Sequence, residues 1–200
     1  MQPIKKTIVY ILMFSGSLFG FSLSAMSMGF EENKVLAEQG NFYAQSNIGL
    51  AYYTGNGVEQ DYIQAKKWLE KSAEQGVAGA QYNLGTMYSN GLGVRQDKNK
   101  AFEWYKKSAE QGFAIAQYNV GLNYHKGRGV RQDYKQAFEW YKKSAEQDYS
   151  DAQVNLGYMY EMGKGVRYDR SQAKEWYGKA CDNSLQIGCD DYKRLNEQGY

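Results

Sequence analysis

The chain has 200 residues, with 24 lysines and arginines against 22 aspartates and glutamates and a single histidine, His125. A balance this close to neutral shows no basic run or stripe for nucleic acid. One histidine leaves no His-based metal cluster and no His-paired cysteine nucleophile.

In chain order, residues 1–25 come first and differ from the rest. Lys5 and Lys6 precede an apolar run over 7–23, and small residues follow around Ser24, Ala25 and Ser27. This is the pattern of a secretory signal peptide. The run of about 17 residues falls just short of a comfortable membrane span, so cleavage is the expectation and an uncleaved anchor the competing reading. Cleavage after Ala25 or Ser27 would remove both lysines and leave cations and anions equal in number. The mature chain would then sit in the periplasm or outside the cell, with no membrane attachment; no cysteine stands at the cut to carry a lipid.

Residues 30–40 end in Ala37-Glu38-Gln39-Gly40, the block that closes the first unit as Ala73-Glu74-Gln75-Gly76, and are read as an N-terminal capping helix. Four units follow, over 41–76, 77–112, 113–148 and 149–184, each a copy of the one before at a step of 36 residues. Self-similarity at this period marks a solenoid. In each copy Ala44, Asn47, Ile48, Gly49 and Tyr52 recur in register, a spacing that describes one helical face. This first helix ends at Gly55-Asn56-Gly57 and its counterparts, where positive φ permits a tight loop. A recurring Asp (Asp61, Asp97, Asp133, Asp169) is placed to cap the second helix, with Gln64, Gln136 and Gln172 three residues on. All four tryptophans (Trp68, Trp104, Trp140, Trp176) share one position of that second helix, most simply its packing core. Residues 185–200 form a last helix, polar at Asp190, Asp191, Lys193, Arg194, Asn196 and Glu197, as a solvent-facing cap should be.

The blocks A-Q-x-N-x-G, G-x-G-V, D-x-x-x-A-x-x-W and K-S-A-E-Q-G, repeated in order from about residue 34 to 192, resemble the Sel-one-like repeat (SLR) family, relatives of the tetratricopeptide repeat. The resemblance implies an all-α fold, an α/α solenoid superhelix of antiparallel helix pairs, and an adaptor that binds a protein or peptide. A monomer without cofactor is the expectation. Asp148 and Ser184 stand where the other copies have Gly, which bears on those two helix endings.

Cys181 takes the place of Ala73, Ala109 and Ala145, and Cys189 that of Gln45, Gln81, Gln117 and Gln153. They fall near facing ends of consecutive antiparallel helices, so an exported chain would join them in a disulfide; a metal pair is the competing reading and lacks further ligands. The pair also resembles the Helicobacter cysteine-rich SLR proteins, to which penicillin binding and β-lactamase activity have been attributed. That resemblance implies an alternative, a β-lactam-binding or β-lactamase-like protein. The residues offer it only Ser171-Gln172-Ala173-Lys174, an S-x-x-K without S-D-N or K-T-G. No catalytic residue is assigned.

Repetition also exposes positions that the packing leaves free. In the first helix these are 43, 46, 50, 53 and their equivalents, one stripe by helical spacing. It is rich in tyrosine and apolar residues, and Tyr43, Tyr53, Tyr82, Tyr118, Leu122 and Tyr158 are the predicted partner-binding residues. The competing reading is that part of the stripe packs between repeats.

Overall fold

The computed structural model describes residues 29–200. The leader expected over 1–25 lies outside them. Among the described residues there are ten α-helices and no strand: α1 (Phe30–Glu38), α2 (Phe42–Thr54), α3 (Tyr62–Glu74), α4 (Ala78–Asn90), α5 (Lys98–Glu110), α6 (Ala114–Lys126), α7 (Tyr134–Ala145), α8 (Ser150–Met162), α9 (Arg170–Asp182) and α10 (Gln186–Glu197). Each helix packs against the next, so the fold is an all-α array of helix pairs. Even-numbered helices are first helices of the repeat, called A here, and odd-numbered ones are second helices, B. Among the described residues the array therefore runs from a B helix to an A helix.

Local chemistry sets the boundaries. α2, α4, α6 and α8 stop at Gly55, Gly91, Gly127 and Gly163, which take left-handed backbone. Six residues further on, the Asp at each B-helix N-cap accepts from first-turn amides; Asp61 Oδ1 lies 2.8 Å from Ile63 N and 3.0 Å from Gln64 N. The same Asp donates its own N–H to a tyrosine carbonyl near the end of the A helix, as Asp97 does to Tyr88 at 2.9 Å. At B-to-A turns Gly40, Gly76 and Gly112 have φ of 94°, 90° and 89°, while Asp148 and Ser184 adopt φ of 61° and 64° despite their side chains. The two substituted turns keep the left-handed geometry at a steric cost that Gly avoids.

The core is made by close approach. A methyl group on Gly121 would come within 2.7 Å of the Tyr141 ring, and one on Gly85 within 2.8 Å of Tyr105. The glycines of α2, α4, α6 and α8 seat Leu69, Tyr105, Tyr141 and Tyr177 of the following B helix, and Tyr141 and Tyr177 are almost wholly buried. The tryptophans pack in or against the core, as expected, though not all to the same depth. Trp68 and Trp140 are buried, Trp104 and Trp176 only half so. A lysine three residues on lies over each ring, from 4.0 Å for Lys179 on Trp176 to 4.5 Å for Lys71 on Trp68. The rings close the outer margin of the core under a cation lid.

Between repeats runs a buried polar ladder. The amide nitrogen of Gln45, Gln81, Gln117 and Gln153 donates to the carbonyl of Ala37, Ala73, Ala109 and Ala145, at 3.1–3.3 Å. The amide oxygen of the same glutamine accepts from Gln75, Gln111, Gln147 and Asn183, at 2.7–3.0 Å. Ser72, Ser108 and Ser144 add a hydroxyl donated to the first turn of the preceding A helix. At the fifth joint the repeat register puts Cys189 where the glutamine stands and Cys181 where the acceptor alanine stands. These two cysteines form the disulfide. A covalent bond thus takes the place of the glutamine's bond to the preceding B helix, and Ala180 at the serine position leaves α9 without the hydroxyl bond to α8.

Restoring the ladder tests that equivalence. Cys181→Ala with Cys189→Ser removes the bond and should speed hydrogen exchange over 186–197 while leaving the middle repeats unchanged. Cys181→Ala with Cys189→Gln rebuilds the repeat's own donor and should recover about 1 kcal/mol of the loss.

Candidate partner-binding face

The stripe positions do not share one environment. Tyr43 and Leu50 on α2 stand in solvent at 43% and 41% exposure. Tyr43 has Phe42 beside it, ring centroids 4.5 Å apart. Tyr53 is half-buried, edge-on to Tyr62 at 5.6 Å. Tyr82 leans on Tyr105 and Phe113, each at 5.7 Å. Tyr118 lies against Tyr141 at 5.8 Å and Tyr149 at 5.2 Å, and Leu122 packs on the same cluster. Tyr158 stacks on His125 at 6.1 Å and accepts a hydrogen bond from Lys164 Nζ at 2.9 Å. Beyond the exposed Tyr43 and Leu50, the stripe is thus a seam of half-buried rings, each leaning on neighbouring rings of its own or the adjoining repeat.

Burial, with Asp151 next in weight, raises the Tyr118 phenol and pushes Tyr149 up to about 12. These phenols stay neutral donors at physiological pH. Burial, aided by Lys164 and Lys126, holds the His125 imidazole below its ordinary range, so it too is neutral.

One gap interrupts the seam. Gly79 holds the position of Tyr43 in the next repeat, and the space its Cβ would enter is open to 4 Å. A cavity of about 430 Å³ results, walled by Phe42, Tyr43 and Phe113 over Val77, Ala78 and Gly79. Phe113 and Tyr149 were not among the predicted stripe residues. Their signal is the apolar residue that precedes α4, α6, α8 and α10 at Val77, Phe113, Tyr149 and Leu185.

At the far end, Glu161 occupies the stripe position of Tyr53 and is 8% exposed. It accepts from Arg194 at 2.7 and 2.9 Å and from Tyr177 Oη at 2.9 Å, while Arg194 also bonds Asp191 at 2.9 Å. Arg194 and Asp191, expected to face solvent, are drawn inward to dock α10. Asp190, Lys193, Asn196 and Glu197 are exposed as expected.

Ser171 is exposed in the first turn of α9. Lys174, its S-x-x-K partner, directs Nζ to Asn196 Oδ1 at 2.7 Å and to the Tyr200 carbonyl. Among the described residues no three His, Cys, Asp or Glu gather as a metal site, and no helix is long and apolar enough to cross a membrane.

The chain matches the Sel1 repeat four times in succession, at residues 42–77, 78–113, 114–149 and 150–185. No curated protein matches it. Among solved structures it is similar to a protective antigen of uropathogenic Escherichia coli strains that displays an SLR fold, with 38% identity and a TM-score of 0.84 over 86% of this chain and 37% of that one. A Sel1 repeat protein from Oxalobacter formigenes aligns at 37% identity and a TM-score of 0.77, over 83% of this chain and 48% of that one. Helicobacter pylori cysteine-rich protein B aligns at 27% identity and a TM-score of 0.51, over 62% of this chain and 95% of that one. The chain thus spans less than half the length of the first two.

Glu161 supplies a pH test. Its carboxyl is held below the ordinary range by the Arg194 bonds, so the stability it contributes is present above the ordinary glutamate pKa and is lost as pH falls through the lowered value. Glu161→Gln should cost about 1–2 kcal/mol at neutral pH, the pair being buried on the Glu side and half-exposed on the Arg side. The stability gap between wild type and variant, measured by urea unfolding, should close below about pH 4.

Proposed function

The chain belongs to the Sel1 repeat family, whose members mediate protein–protein interactions, and from that premise we propose that it is an exported adaptor that binds a protein or peptide partner on the inner, A-helix face of its superhelix. The observation that carries the reading is the aromatic seam with its cavity at Gly79. Half-buried tyrosines held in place by neighbouring rings offer contact area at little loss of side-chain entropy. An open pocket between Phe42, Tyr43 and Phe113 is sized for one bulky apolar side chain of a partner. Tyr43, Tyr53, Tyr82, Tyr118, Leu122 and Tyr158 are the face, and Gly79 and Phe113 join them. α2 touches α4 directly, A helix against A helix, which favours the A side as the inside of the curve.

Export is supported by the disulfide, a bond that persists in oxidising compartments, and by the signal-like residues 1–25. The periplasm or the cell exterior is the compartment, and the free protein is a monomer.

The face is tested with substitutions that spare its supporting contacts. Gly79→Trp fills the cavity, and Tyr43→Ala with Leu50→Glu alters exposed positions that contribute within about 0.5 kcal/mol to stability. Wild-type protein immobilised as bait should retain an envelope protein that both variants lose at unchanged melting temperature. Equal retention by all three baits would place the partner elsewhere.

A further inference from the structure

The repeat also gathers cations that are far apart in the chain. Arg95, Arg131 and Arg167 hold one position in three successive A-to-B loops, and all three are exposed. Lys126, Arg128 and Lys164 lie in or beside the same loops. None of the six makes an ion pair among the described residues, whereas Lys66, Lys106, Lys142 and Lys179 on the B helices are each paired with a glutamate four residues away. The recurring acids of this edge, Asp97, Asp133 and Asp169, are N-caps whose Oδ1 is occupied by helix amides. The first loop differs, with Glu59 at the arginine position. The edge is therefore cationic over repeats two to four and not over repeat one.

Lys164 joins this edge to the aromatic seam. Its Nζ bonds Tyr158 Oη and lies 4.9 Å from the Tyr158 ring centre and 5.3 Å from that of Tyr134. Tyr158 in turn stacks on His125. The cations thus continue the proposed face rather than forming a separate patch.

We propose that the loop edge of Arg95, Arg131 and Arg167, continued inward through Lys164, binds an acidic segment of the partner, taking its carboxylates while the seam takes its apolar side chains. This rests on the A-helix face as the partner surface. The occupant is acidic polypeptide rather than nucleic acid, because the whole chain carries a formal charge of only +2 and the cationic edge adjoins the aromatic seam at Lys164. A segment with a few carboxylates beside aromatic residues matches an edge of cations next to a seam of rings. A continuous phosphate backbone needs a larger basic field.

The probe is a labelled peptide of alternating Glu and Tyr, read by fluorescence anisotropy at about 20 and about 150 mM salt. Wild type should bind it, more weakly at the higher salt, and should not bind the Lys-Tyr counterpart. Arg95→Glu, Arg131→Glu and Arg167→Glu together should weaken binding about tenfold or more. A matched reversal of Lys67, Lys106 and Lys142 on the B helices should change it less than about twofold. Four results overturn the proposal: no binding of the Glu-Tyr peptide at low salt, equal binding of the Lys-Tyr peptide, an equal effect of the B-helix reversal, or binding of oligo-dT as tight as that of the peptide. The envelope bait separates the two readings. If the loop-edge variant keeps a partner that Gly79→Trp loses, the acidic-segment inference fails and the face stands; if both variants keep it, the face itself fails.

Discussion

The buried glutamine of each A helix is the constraint on which the array depends. Gln45, Gln81, Gln117 and Gln153 are at most 6% exposed, so each carries an amide out of water. An amide left unpaired there would cost about 1–3 kcal/mol. The price is avoided because the nitrogen meets a last-turn carbonyl of the preceding repeat's B helix and the oxygen meets the Gln or Asn that closes its own repeat's B helix. Only one register of neighbouring repeats satisfies both ends. The ladder therefore specifies where each helix pair sits, and the apolar contacts between Gly121 and Tyr141 and their equivalents supply the attraction.

Such an array is weakest where the ladder runs out. Neighbour contacts are lost at a terminal helix, and a solenoid frays from its ends. The C-terminal joint lacks the glutamine of the inner joints, and α9 before it lacks the serine that holds each earlier B helix to its A helix. The Cys181–Cys189 bond replaces the first of these in register, and the Glu161–Arg194–Tyr177 cluster holds the middle of α10 against α8 and α9. At the very end Tyr200 is held through Arg170, 2.6 Å from its hydroxyl, and through Lys174 at its carbonyl. Three unlike interactions do at the last joint what one repeated motif does inside.

How much was legible in the sequence follows from what repeats. Helix boundaries, capping aspartates, left-handed glycines and the small-residue seats were readable because each stands four times in register. The disulfide was readable because two substitutions fell on facing positions. Arg194 was misread as solvent-facing because its partnership with Glu161 occurs once, between residues with no counterpart in the other copies. The half-burial of the stripe was legible only as the competing reading, in which part of it packs between repeats. Helical spacing gives the direction of Tyr82 and Tyr118 from their own helix, but not how near Tyr105 and Tyr141 come from the B helices. The cationic edge was missed for a third reason: Arg95, Arg131 and Arg167 are one repeat apart, and a search for basic runs meets each alone.

The half-buried seam also joins recognition to stability. Tyr118 leans on Tyr141 from its own repeat and on Tyr149 at the start of the next, so any contact a partner makes with it bears on the joint between repeats. Each repeat meets only its neighbours, and a bound segment spanning several joints would stiffen the array one joint at a time. Truncating Tyr82 or Tyr118 would therefore weaken binding and packing together, and loss of binding alone would say little about contact. Gly79, Tyr43, Leu50 and the loop arginines lack that double role. They sit over open space or in solvent, and the ladder's Gln75 and Gln111 keep their bonds at the back of the cavity beside Gly79. Specificity can change at these positions without disturbing the stack, because the physics of the repeat makes no other demand on them.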